Sequence, residues 1–193
     1  MTLAFAAVMA GVTAALKIPG PGLILTLAGY FGLLFLTFKL RNSAWGLLSV
    51  FGLTGFMGYT LGPLIGQYMT MVNGSQIVLT SMGITGAIFF GLSWYARQPG
   101  AVNTGNWSSF LLVGILTAFC LGLAAVFFQM PALSLAVSGV FVLLMSGLIM
   151  FETQNILRGG ETNSILATVT LFVSIYNLFA SLLHIMGFFG GEE

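Results

Sequence analysis

The sequence predicts an all-α polytopic membrane protein with seven transmembrane helices, and three observations carry that prediction. Of 193 residues, 58% are hydrophobic and only 5% are charged, whereas a water-soluble domain carries about 25% charged residues. The mean hydropathy is +1.06. Apolar runs of about 20 residues, the length that crosses a bilayer core, recur along the whole chain between short polar or Gly/Pro-rich breaks. The 26 glycines would disfavour helices in water, but in membranes small residues let helices pack closely.

Taken in order, the first span runs from Thr2 to Ile18, with Lys17 placed to snorkel at its end. Its start lacks the basic region of a signal peptide and no polar domain follows, so it reads as a span. Pro19-Gly20-Pro21-Gly22 breaks it, and Leu23–Phe38 follows. The third span is Ala44–Ile65, the fourth Gln76–Ala96 and the fifth Trp107–Phe128. Pro131 restarts the chain into the sixth, Ala132–Ile156, and the seventh is Ser164–Phe189. Gly159-Gly160 stops the sixth span, and Thr162 or Asn163 supplies an N-cap for the seventh. Gly62-Pro63 is expected to kink or break the third. The longest loop, Arg97 to Asn106, reads as a plain solvated turn. Residues 1–193 therefore form one transmembrane domain with no second domain for a large soluble ligand.

Orientation follows from loop Lys and Arg. Lys39, Arg41, Arg97 and Arg158 fall on one side and only Lys17 on the other, which places the N-terminus in the cytoplasm and the C-terminus outside. Trp45, Trp94 and Trp107 lie at span ends, as interfacial aromatics do. Net charge is +1, which gives nucleic acid no electrostatic footing. The partners expected are membrane lipids and other membrane proteins.

Glu152 is the one acid within a long apolar run; Glu161, Glu192 and Glu193 lie in a loop and at the end. A carboxylate in hydrocarbon costs about 2.5–3.5 kcal/mol on insertion scales and usually faces protein or a wet cavity. Thr170, Ser174, Asn177, Ser181 and His184 are spaced 4, 3, 4 and 3 residues apart, so they project from one face of the seventh span. That stripe either hydrogen-bonds to neighbouring helices or lines a polar path through the bundle centre. Ser174 and Asn177 are expected to approach Glu152, and Lys39 and Arg41 are its candidate counter-charges. Those eight residues are the candidates for an ion or proton pathway.

Other chemistry is excluded by residue type. Calcium takes six to eight oxygens, usually with several carboxylates. Zinc needs a cluster of His and Cys, and the chain has one of each in different spans. No metal and no cofactor are expected. Ser138 and His184 fall at one depth, but a serine protease also needs an oxyanion hole. The context Ala136-Val137-Ser138-Gly139 lacks the glycine two residues before the serine that rhomboid proteases carry. No enzyme is expected. Cys120 reads as a packing residue.

The run Phe151-Glu152-Thr153-Gln154-Asn155-Ile156, followed by Leu171-Phe172-Val173-Ser174-Ile175-Tyr176-Asn177-Leu178-Phe179, resembles the Bax inhibitor-1 family. Pro21-Gly22-Leu23-Ile24-Leu25-Thr26-Leu27, the stretch Thr54 to Pro63, and Gly159-Gly160-Glu161-Thr162-Asn163 are similar to its bacterial YccA-like branch. The resemblance implies six helices around a central seventh. Family members with two acids, one on each of the last two spans, are described as pH-sensitive calcium leak channels. Glu152 stands at the first acidic position, whereas Ser174 stands where the motif has Asp, so the coupled titration of a carboxylate pair is not available. The branch implies instead an inner-membrane modulator and substrate of the FtsH protease. In that branch degradation is implied to start from a hydrophilic N-terminal tail, and this chain enters its first span almost at once. A proton or cation leak gated at Glu152 is the alternative expectation.

Overall fold

The computed structural model describes residues 1–99, 101 and 103–190, whose regular structure is helical, with no strand among them. In chain order the helices are α1 (Thr2–Ala15), α2 (Leu23–Leu40), α3 (Trp45–Met69), α4 (Gly74–Ala96), α5 (Ser108–Phe127), α6 (Pro131–Leu157) and α7 (Ser164–Gly190). Six of them, α2 to α7, are long and apolar enough to cross a membrane. The first, at 14 residues, rises only about 21 Å at 1.5 Å per residue. It stops at Ala15 rather than Ile18 because the chain turns there. Ile18 N donates to Thr13 O at 3.1 Å, and Lys17 takes a left-handed φ of 50°.

Of the two outcomes expected at Gly62-Pro63, a break is ruled out: α3 continues through Pro63 to Met69, past the expected end at Ile65. An interior proline removes one backbone hydrogen bond, a defect membrane helices absorb where neighbouring chain packs against them. The α4–α5 loop is also more than a solvated turn, because Thr104 within it is only 1% exposed.

Contacts divide the chain into two compact units, 1–75 with 163–172, and 76–162 with the residues from 173 on. In the first, α3 packs against α1 and α2. Its glycines let the backbones meet. A Cβ on Gly58 would strike the Ala6 backbone, one on Gly62 would strike Thr13, and one on Gly55 would strike the Phe5 ring. Asn163 caps α7, its Oδ1 accepting from Ile165 N at 3.0 Å and Leu166 N at 3.2 Å. Its Nδ2 donates to Arg41 O and Asn42 Oδ1, tying the α2–α3 turn to the start of α7.

In the second unit, Met145 and Ile149 of α6 form a core with Leu178 and Leu182 of α7, against which Ile84 and Ile88 of α4 pack. Helix α5 lies on α6 through Leu111, Ala118 and Leu144. The α5–α6 turn is tight, with Gln129 at φ 51° and Pro131 opening α6.

The outward surface is apolar: Phe35 and Phe90 each expose 71% and Leu143 75%. Water would not tolerate so many exposed large side chains; hydrocarbon does. Helix threonines and serines meanwhile bond inward to their own backbone, as Thr13 does to Met9 O, Thr37 to Leu33 O and Ser146 to Val142 O.

The α1–α3 contact predicts that Gly58→Ala destabilises the protein by about 1–3 kcal/mol, the cost of overpacking. Gly66, with open space around it, serves as the control, and Gly66→Ala should change stability by less than about 0.5 kcal/mol. Thermal unfolding in detergent checks both.

Candidate functional site at the end of α6

Helix α6 ends in a run of polar residues that hydrocarbon cannot solvate, Glu152-Thr153-Gln154-Asn155, followed by Arg158. Each is dealt with differently. Thr153 bonds back to Ile149 O at 2.7 Å. Gln154, 2% exposed, turns its Oε1 to Thr104, accepting from Thr104 N at 3.1 Å and from its hydroxyl at 2.9 Å. Arg158, one helical turn on, donates to Asn103 Oδ1 at 2.6 Å. Two adjacent loop residues, Asn103 and Thr104, are thus held by Gln154 of α6 and by its C-cap residue Arg158, which clamps this part of the α4–α5 loop onto the helix end.

Glu152 is half-buried. Asn155, three residues on, hydrogen-bonds its carboxylate, and Glu161 brings a second negative charge within electrostatic reach. The chain reverses to do this. Gly159 takes a left-handed φ of 73°, and Gly160 N and Glu161 N donate to Asn155 O at 2.9 and 3.4 Å. A side chain on Gly160 would meet the Asn155 amide, so the second glycine leaves room for the residue that holds Glu152.

The stripe on α7 is distributed. Ser174 is fully buried, whereas Thr170, Asn177, Ser181 and His184 are partly so. Thr170 bonds back to Leu166 O at 3.0 Å, and Asn177 Nδ2 donates to Val173 O at 2.8 Å. His184 Nδ1 lies 2.8 Å from Ser138 Oγ, which sets the α6–α7 register. The two helices run antiparallel, so Asn177 stands level with Met145. Glu152 is then about 10 Å further along α6 than the level of Asn177, and about 6 Å from that of Ser174, at 1.5 Å per residue. The side chains nearly level between Ser138 and Glu152 include Met145 and Ile149, both buried and apolar. Lys39, Arg41 and Thr170 belong to the first unit; Glu152, Ser174, Asn177, Ser181 and His184 belong to the second.

Sequence reasoning missed Gln154, Thr104, Asn103, Asn155 and Glu161. The available signal was four successive polar residues at the end of an apolar span, which require partners from whatever loop lies alongside. Ser138 and His184 do meet, but Ser138 sits within α6 with its backbone N–H in the helix, so it offers no oxyanion donor of the kind acyl transfer needs. Among the described residues no three His, Cys, Asp or Glu side chains gather as a metal site.

Apolar helices, buried glycine contacts and internally satisfied polar groups define a multi-pass helical membrane protein. The family model described as "Inhibitor of apoptosis-promoting Bax1" matches residues 1–191. A protein of Pseudomonas aeruginosa is 45% identical over 193 residues, covering all of this chain and 86% of its own. The Escherichia coli K12 protein named "Modulator of FtsH protease YccA" is 47% identical over 188 residues, 97% of this chain and 85% of its own. A Vibrio cholerae protein named "Uncharacterized membrane protein" is 37% identical over 194 residues, covering this whole chain and 86% of its own. The chain belongs to the Bax inhibitor-1 family.

The clamp makes a direct prediction. Gln154→Ala leaves the buried Thr104 N–H and hydroxyl without their acceptor, which costs about 1–3 kcal/mol. The thermal midpoint should fall, and limited proteolysis should cut within residues 97–107 faster than in the parent protein.

Proposed function

We propose that this chain is a seven-span inner-membrane protein, its seventh helix central, that modulates an FtsH-type membrane protease, and is its substrate, without catalysing a reaction itself. The observation that carries the reading is 47% identity, over 97% of this chain, to a protein named as a modulator of FtsH. An Escherichia coli relative at the same identity is named "Inner membrane protein YccA", which supports the localisation. The N-terminus is assigned to the cytoplasm and the C-terminus to the outside from the loop cations. On that assignment the clamped α4–α5 loop and the α6–α7 turn face the cytoplasm.

The action is contact with a membrane partner in a lipid environment. Exposed apolar helix faces offer surface to lipid or to another protein's helices, while Glu152 and the α7 stripe serve the interior. A leak gated at Glu152 draws no support from the names of the relatives.

Copurification tests the reading. Tagged protein extracted from its native membrane in mild detergent should recover the FtsH-type protease, and purified protein should slow that protease's degradation of a membrane substrate in proteoliposomes. Absence of both the complex and the slowing would overturn the proposal.

A further inference from the structure

The Ser138–His184 pair lies apart from Glu152, toward the other end of α6. Ser138 Oγ lies 3.0 Å from Ser134 O and 2.8 Å from His184 Nδ1. A hydroxyl has one proton, and a carbonyl oxygen can only accept. Both contacts are hydrogen bonds at once only when Nδ1 carries a hydrogen, giving the chain His184 Nδ1–H to Ser138 Oγ–H to Ser134 O. The reverse direction spends the hydroxyl proton on Nδ1 and leaves the contact to Ser134 O without one. The hydrogen bond made at one ring nitrogen decides which nitrogen is free. Here the free one is Nε2, and none of the described residues hydrogen-bonds it.

We propose that His184 Nε2 is a proton-binding site in the second unit, and that Ser138 is the positioning residue that keeps it bare. The neutral ring then donates from Nδ1 to Ser138, and so does the protonated ring. Loading Nε2 leaves the α6–α7 hydrogen bond in place, so the helix pair holds its register in both states.

Among the described residues of the second unit, the groups that could interfere are distant. Helix α6 offers Ser134 and Ser138 at this level, and its one ionisable group, Glu152, is fourteen residues on, about 21 Å away along the axis. Helix α4 meets α7 near Gly190 through Ile77, and the α4 residues on that face, Ser81, Ile84 and Ile88, carry no titratable group. Tyr176 lies eight residues back on α7, about 12 Å along the axis, and Cys120 of α5 is exposed. Arg97 follows the far end of α4, and Arg158 and Glu161 follow the far end of α6. Glu192 and Glu193 lie outside the described residues.

The chain has a single histidine, so ¹⁵N-histidine labelling gives one imidazole to follow by NMR in detergent micelles or nanodiscs. At high pH the one-bond N–H signal is expected on Nδ1 with Nε2 bare. As pH falls, Nε2 alone should gain a proton. An Nε2–H tautomer at high pH, or a mixture of both forms, overturns the proposal. In Ser138→Ala the preference should revert to the Nε2–H form that an unconstrained imidazole favours, and Ser138→Thr should restore Nδ1–H. A Ser138→Ala protein that keeps the Nδ1–H form also overturns it; should that variant not fold, the parent spectrum decides alone.

Discussion

Every buried polar group in this chain must find its partner within the chain, because hydrocarbon offers none. That constraint accounts for most of what the helices do with their side chains. Thr13, Thr37, Thr85, Ser146 and Thr153 each bond to a carbonyl of their own helix. Ser81 Oγ is the exception among the described residues, buried with no protein partner. The same constraint explains the side chain–side chain contact between α6 and α7 at Ser138 and His184, which gives the imidazole Nδ1 a partner.

The end of α6 shows the constraint at its most demanding. Glu152, Gln154, Asn155 and Arg158 cannot all bond within their own helix, so the two flanking loops are drawn in. Thr104 and Asn103 come from one, and the Gly159-Gly160-Glu161 reversal from the other. Residues that a hydropathy profile treats as connector, Asn103, Thr104 and the Gly159-Gly160-Glu161 turn, thus acquire defined partners at the end of α6.

Much of this was legible in the sequence. Apolar run length predicted seven spans, and six of them are matched by helices long and apolar enough to cross a membrane, because insertion depends on local composition and the backbone satisfies itself. The Asn163 cap and the Gly159 stop were legible for the same reason, being local chemistry. The end of α1 was not, since it depends on a turn at Lys17 rather than on the apolar run that continues to Ile18. Neither was the passage of α3 through Pro63, which depends on helices packed beside it. The Gln154–Thr104 bond joins residues fifty positions apart; periodicity on either helix cannot show which loop will cover which helix end. The α7 stripe was visible as a spacing, yet spacing alone does not separate Thr170 and Asn177, which turn back to their own helix, from His184, which reaches Ser138.

Amide hydrogen exchange at Thr104 tests the central claim most directly, namely that buried polar groups here are satisfied by other parts of the chain rather than by water. If Gln154 holds this amide, Thr104 should exchange slowly, at a rate close to that of the α6 amides, despite lying in a loop. Exchange as fast as that of its exposed neighbours Gly105 and Asn106 would mean that water reaches Thr104, and the account would be contradicted.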